Sequence, residues 1–200
     1  MSDWLFGYGS LLWRPGFAFV ERRPARLHGW VRRFWQGSHD HRGVPDAPGR
    51  VVTLVAARRW HTDGLAFRLP DEGREVLLAA LDHREKNGYA RIVAPVQLDV
   101  SGNDGAPAVH ADSLRIRTVQ CVVYVAARDN HAFLGPAPRA ALVRQIVTSV
   151  GPSGRNIDYL FELAATLRRL GIDDPHVFAL EHAAQAQLAL PPAQRRQRIR

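Results

Sequence analysis

The chain has 200 residues, 46% of them hydrophobic, and a formal net charge of +8. That length suits one domain with a sizeable core, and the composition excludes a disordered chain. No apolar run is long enough for a membrane-spanning helix, no basic region followed by a long apolar segment marks a secretory signal, and the lone Cys121 excludes an internal disulfide framework.

Lys86 is the only lysine, so the basic excess is almost entirely arginine. Four arginines lie in Arg195-Arg-Gln-Arg-Ile-Arg200, which reads as a solvated end rather than a nucleic-acid arm. No recognition helix or RNA-binding aromatic pattern accompanies the charge. An anionic small molecule accounts for it equally well. Neither nucleic acid nor membrane is expected as a partner, and the lone thiol suits a reducing, cytoplasmic setting.

In chain order, Trp4-Leu-Phe-Gly-Tyr-Gly-Ser-Leu-Leu12 opens as an apolar, aromatic run too short for a helix, hence a buried strand. Gly7 and Gly9 bracket Tyr8. They predict a sharp turn, with positive φ or close backbone approach, and N–H groups converging on an anion. A plain strand with a glycine turn fits the same residues. Arg26–Gln36 supplies further strand formers, with Gly29 as a bulge or crossing point. The loop 37–49 carries His39, Asp40 and His41, too few close ligands for a zinc site without a third. A serine–histidine–aspartate reading through Ser10 lacks the flanks of a nucleophile elbow.

Strands are predicted over 50–55 and 64–69, separated by a polar turn His61-Thr-Asp-Gly64, then over 89–98 and 114–125. Short strands with few helices between them predict an antiparallel or mixed sheet, closed as a small barrel. The last third is helical. Pro138 opens one helix with Leu142, Ile146 and Val150 on a face; Ser153 or Asn156 caps the next; Asp174-Pro175 starts the last.

One helix interrupts the strands, predicted over 70–88 with Asp71 as N-cap and Gly88 as terminator. Leu78, Leu81 and Glu85 fall on one face, while Asp82 and Lys86 fall away from it. A carboxylate on an apolar face must be paired, hydrogen-bonded or protonated. Two readings follow. Glu85 is a salt-bridged or fraying end of the helix, or it is a proton-transfer group whose desolvation raises its pKa toward neutrality.

Several segments together resemble the ChaC family of glutathione-specific γ-glutamylcyclotransferases. They are Phe6-Gly-Tyr-Gly-Ser-Leu11, Arg33-Phe-Trp-Gln-Gly-Ser38, Asp40-His-Arg-Gly-Val-Pro45, Pro48-Gly-Arg-Val-Val-Thr-Leu54, Arg84-Glu-Lys-Asn-Gly-Tyr89, Leu134-Gly-Pro-Ala-Pro138 and Gly151-Pro-Ser-Gly-Arg-Asn156. The resemblance runs in order over residues 3–190 and departs at 99–112 and in the arginine tail. It implies an α+β, γ-glutamylcyclotransferase-like fold: a small mixed β-barrel decorated by helices, with a helical C-terminal third. A single domain over 1–190 and a flexible basic tail over 191–200 are expected.

The resemblance also implies cleavage of glutathione to 5-oxoproline and cysteinylglycine without metal or cofactor. It makes Glu85 the catalytic acid/base and Gly7, Tyr8, Gly9, Ser10, Leu11 and Leu12 the substrate loop. Arg50, in one of these segments, and Tyr124, within the matched span, are also expected at the substrate. Two rivals share the sequence: a module that binds a γ-glutamyl ligand without turnover, and a basic nucleic-acid-binding protein.

Overall fold

The computed structural model describes residues 3–99 and 116–191. The expected loop 99–112 and the basic tail fall almost wholly outside these residues. The described residues divide into two compact units. One is drawn from Met1–Val31, Ala56–Glu85 and Ala90–Val125, the other from Arg32–Val55, Lys86–Tyr89 and Ala126–Arg200.

Five strands form a closed barrel: β1 (Trp4–Gly7), β2 (Glu21–Ser38), β3 (Gly49–Arg68), β4 (Tyr89–Asp99) and β5 (Ile116–Ala126), in the order β1-β3-β2-β4-β5. β1 is the apolar opening run, and all four of its residues are buried. It pairs antiparallel with β3, Phe6 opposite Ala66, and parallel with β5, Phe6 opposite Val123. β2 pairs antiparallel with β4, Ala25 opposite Leu98. Ala94, Val96 and Leu98 alternate inward along β4, the period-two pattern of a strand with one buried face. Leu5, Phe6, Leu27, Phe67, Val96 and Val123 fill the first unit's core.

The polar turn expected at His61-Thr-Asp-Gly64 does not exist: β3 runs unbroken for 20 residues. Each residue that suggests a turn has a cross-strand reason to be extended. The Thr62 hydroxyl donates to the Trp30 carbonyl at 3.0 Å. Asp63 accepts both Arg26 Nε and Nη2, at 2.6 and 2.8 Å. At Gly64 an added Cβ would run into the Gly7 carbonyl. Gly29, in the middle of β2, has φ +81, as befits a kink in a strand of 18 residues.

Between β3 and β4 lies α1 (Arg74–Arg84). It is shorter at both ends than expected. Gly73, at φ 72, stands at the N-cap, because the Asp71 carboxylate is taken by Arg74. The helix stops at Arg84, with Glu85 as C-cap. Gly88, expected as the terminator, sits three residues later at φ +94, where a Cβ would run into Asn130 Oδ1.

The second unit holds α2 (Arg139–Thr148), α3 (Asn156–Arg169) and α4 (Pro175–Ala189), packed on one another, and a short hairpin of β6 (Val150–Gly151) and β7 (Gly154–Arg155). Leu142, Ile146, Ile157, Leu160, Leu163, Leu167, Val177 and Leu180 form its apolar interior. Val150 is not on the α2 face; it is exposed in β6. Arg155, not Ser153 or Asn156, is the N-cap of α3. Asn156 is drawn away because its amide accepts the Arg50 N–H at 2.6 Å and donates to the Arg50 carbonyl at 2.8 Å. Asp174 does cap α4, accepting the Val177 N–H at 3.1 Å with Pro175 at the first helical position.

Candidate active site

The end of β1 leads into a one-turn 3₁₀ helix, Ser10–Leu12, with Gly9 as N-cap. The turn closes through Leu12 N–H to the Gly9 carbonyl and through Trp13 and Arg14 N–H to the Ser10 carbonyl. That leaves the Ser10 and Leu11 N–H groups at its start, outside the helical bonds, as at any helix N-terminus. Tyr8, Leu11 and Leu12 turn their side chains inward and are buried, whereas Gly9 and Ser10 are half-exposed. The loop therefore offers backbone and one hydroxyl, with its apolar side chains as anchors.

Of the two expectations for these glycines, positive φ fails at both and close approach holds at Gly7. Gly9 has φ −118, outside the left-handed region, and Gly7 is likewise not among the positive-φ glycines. At Gly7 the constraint is packing: a Cβ would lie 2.9 Å from Leu11 Cβ and 3.1 Å from the Phe67 ring. Real Cβ atoms do not come that close, so glycine lets the loop fold back on the strand.

Tyr8 pins the loop to β5, its hydroxyl donating to the Tyr124 carbonyl at 2.6 Å. The Tyr124 hydroxyl in turn donates to Asp82 Oδ1 at 2.6 Å, and Arg91 Nη1 lies 3.6 Å from Asp82 Oδ2. Burial holds the Tyr124 phenol protonated well above the usual range. The bond to Asp82 and the charges of Asp82 and Glu85 act the same way, and Arg91 opposes them.

Glu85 stands at the C-cap of α1 with its N–H bonded to the Leu81 carbonyl at 2.9 Å. Leu78 and Leu81 are buried as expected, but the helix ends before Glu85, and its side chain keeps 19% exposure. It is a half-buried carboxylate at a helix end rather than one sunk in the apolar face. Arg84 connects it to the loop. Arg84 Nε lies 3.4 Å from Glu85 Oε1, Nη2 donates to Ser10 Oγ at 3.1 Å, and Nη1 donates to the Pro15 carbonyl at 2.8 Å. Ser10 Oγ thus accepts from a guanidinium, as a positioned loop residue does.

Gly7 to Leu12, Tyr124 and Glu85 all fall in the first unit. Arg50 belongs to the second. There its Nε donates to Gln145 at 2.6 Å and Nη1 to the carbonyls of Phe34 and Gly135 at 3.1 and 2.9 Å. Burial lowers its pKa from the ordinary arginine value.

The 39–41 segment is occupied with structure. His41 Nδ1 is 3.0 Å from Ser153 Oγ, and Asp40 accepts from the Asn87 amide. Among the described residues no group of three or more His, Cys, Asp and Glu side chains can hold a metal ion. Sequence reasoning missed Asp82, set aside as facing away from the leucines, and Arg84. Signals for both existed: Asp82 is four residues from the buried Leu78, hence its neighbour on the helix, and Arg84 heads the segment that contains Glu85.

Comparison with known proteins agrees with the barrel and its accompanying helices. A family model for ChaC-like proteins matches residues 3–187. Gamma-glutamylcyclotransferase 2-3 of Arabidopsis thaliana is 42% identical over 181 residues, covering 88% of this chain and 85% of the plant protein. Glutathione-specific gamma-glutamylcyclotransferase 1 of Danio rerio is 38% identical over 191 residues, covering 94% and 91%. A selenomethionine-labelled yeast γ-glutamyl cyclotransferase specific to glutathione superposes with TM-score 0.81 at 31% identity, over 93% of this chain and 97% of the yeast chain. With the family model spanning nearly the whole length and relatives this similar from end to end, the chain belongs to the ChaC-like family.

Proposed function

We propose that the chain degrades glutathione by intramolecular cyclisation, with Glu85 as the general acid/base and the loop Gly7–Leu12 as the substrate cradle. The observation that carries the reading is the guanidinium of Arg84, which ties the half-buried Glu85 carboxylate to Ser10 of the loop. A proton acceptor and a set of backbone donors are thereby held on one short span. The relatives' names supply the substrate: the zebrafish and yeast proteins are both described as specific to glutathione.

The chemistry needs little else. The substrate's own α-amine attacks its γ-carbonyl carbon; a C–N bond forms, and the bond from that carbon to the cysteine nitrogen breaks. The amine arrives as an ammonium, so a base must first take its proton, and the departing nitrogen must receive one. One carboxylate does both in turn. No covalent enzyme intermediate is required, because the nucleophile is part of the substrate. The products are 5-oxoproline and cysteinylglycine.

The remaining task is to fold the γ-glutamyl arm so that amine and carbonyl meet, an orientation effect worth roughly 7–11 kcal/mol at most. The Ser10 and Leu11 N–H groups serve as anion donors, for the α-carboxylate or for the oxyanion that develops. Tyr124, kept as a neutral phenol, lines the same region without adding charge.

The reading also places the enzyme in the cytoplasm, where thiols stay reduced. Cys121 accords with it: a free thiol, fully buried, and pushed by that burial up to about 12, so it is inert.

Incubation of the purified protein with glutathione, followed by chromatographic detection of 5-oxoproline and cysteinylglycine, tests the proposal. Stoichiometric appearance of the two supports it. Saturable glutathione binding with neither product would instead favour a γ-glutamyl-binding module.

A further inference from the structure

We infer that Arg84 is the positioning residue of this reaction, the group that sets the span between the substrate loop and the acid/base. The inference rests on the reading of Glu85 as that acid/base and adds to it the part that holds Glu85 in register.

The two halves of the site sit on weak local structure. The loop's only regular element is a 3₁₀ helix of three residues, a length at which such helices are marginal. Glu85 is a C-cap residue, beyond the last helical turn of α1, where helices fray. One guanidinium reaches both. Its fork presents five N–H donors in fixed directions; two of them bond the Pro15 carbonyl and the Ser10 hydroxyl, and Nε stands 3.4 Å from the Glu85 carboxylate as an ion pair.

A bare ion pair between neighbours on a helix end contributes little to stability, and Arg84 to Glu85 alone would be such a pair. The other two contacts span 69 and 74 residues of sequence, so the same side chain stitches distant segments. At Gly16, φ +72, an added Cβ would have Arg84 Nη1 as its nearest atom, at 3.5 Å. The loop past Pro15 therefore passes beside this guanidinium. Lysine cannot replace it: an ammonium is a single point on a flexible stem and cannot bond two distant acceptors while a separate nitrogen faces the carboxylate.

The consequence is kinetic. Cyclisation depends on near-attack geometry, and a shift of about 1 Å in a positioning group can cost on the order of 10²-fold in rate. Loss of Arg84 should therefore appear in kcat more than in KM.

The test measures kcat and KM for glutathione, and melting temperature, for the full-length wild type, Arg84→Lys, Arg84→Ala and Glu85→Gln. The expected result is a kcat lowered by about 10²-fold in both Arg84 variants, with a smaller change in KM. Low-millimolar guanidinium should restore part of the kcat of Arg84→Ala and leave Arg84→Lys unchanged. Arg84→Lys keeps the charge and most of the stem, so it remains informative if Arg84→Ala folds poorly. Wild-type kcat in Arg84→Lys overturns the inference. So does a loss in Arg84→Ala that guanidinium fails to restore and that tracks a fall in melting temperature. An inactive Glu85→Gln beside an active Arg84→Lys sinks this inference alone, whereas an active Glu85→Gln removes the acid/base reading and this inference with it.

Discussion

The Tyr124 hydroxyl donates to Asp82 Oδ1 at 2.6 Å, joining β5 to the last turn of α1. The phenol is buried and the carboxylate is partly exposed, at 43%, so solvent screens much of the pair's charge. Removing the hydroxyl in Tyr124→Phe should cost about 1 kcal/mol and loosen the helix end that carries Glu85.

The sign of its pH dependence follows from the raised folded-state pKa. Tyr124 holds its proton when folded and releases it near pH 10 when unfolded. Its contribution is thus full below pH 10 and lost as pH rises beyond. Urea midpoints between pH 8 and 11 should fall more steeply for wild type than for Tyr124→Phe; parallel curves would show that the bond is not coupled to folding.

Glu85→Gln should leave a folded protein that binds glutathione and barely turns it over, with kcat lowered by about 10²–10⁴. Glutamine keeps the shape and the hydrogen-bonding capacity but cannot take the ammonium proton. Were Glu85 only a partner for Arg84, the melting temperature would fall while the folded fraction kept normal turnover. Calorimetric affinity, melting temperature and product release from one preparation separate the outcomes.

Gly7→Ala should be more damaging than Ser10→Ala. The new methyl group meets Leu11 Cβ and the Phe67 ring inside contact distance. Overpacking of this kind costs about 1–3 kcal/mol, and the strain falls on the turn that presents the Ser10 and Leu11 N–H groups. Ser10→Ala removes one of the contacts of Arg84 and keeps the backbone, so a few-fold drop in kcat/KM is expected, of the size of one neutral hydrogen bond. Abolished activity in Ser10→Ala would assign the hydroxyl a direct role.

His176 sets an acid limit on stability. Its Nε2 accepts the Phe34 N–H at 3.3 Å, which requires the neutral ring. Burial pushes its pKa down from 6.5 to about 4; Arg33 adds to this, as do Arg139 and Arg32, while Asp174 opposes. The unfolded chain takes up the proton near pH 6.5 and the folded chain only near 4. Stability is therefore present above pH 6.5 and lost as pH falls through that window. At about 1.4 kcal/mol per pKa unit the loss is on the order of 3 kcal/mol. Denaturant midpoints for wild type and His176→Gln between pH 7 and 4 should converge at the acid end; a constant separation would refute the assignment.

Much of the fold could be read locally. The apolar opening run became β1, alternation along 89–98 became β4, and Asp174-Pro175 began α4, because each depends on periodicity or capping within a few residues. The segments that resemble the family also put forward Glu85 and the Gly7–Leu12 loop as candidates without any coordinates. What the chain's neighbours in space decided was different in kind. The His61–Gly64 segment stayed extended because Trp30, Arg26 and Gly7 satisfy or crowd it from other strands. Asn156 left the cap of α3 for the backbone of Arg50. Asp82 found Tyr124, and Arg84 found Ser10, across 42 and 74 residues. A propensity or a hydrophobic stripe carries no record of such partners. Hydrogen-bonding groups choose among whatever donors and acceptors the closed barrel brings within about 3 Å, and only the tertiary structure determines which those are.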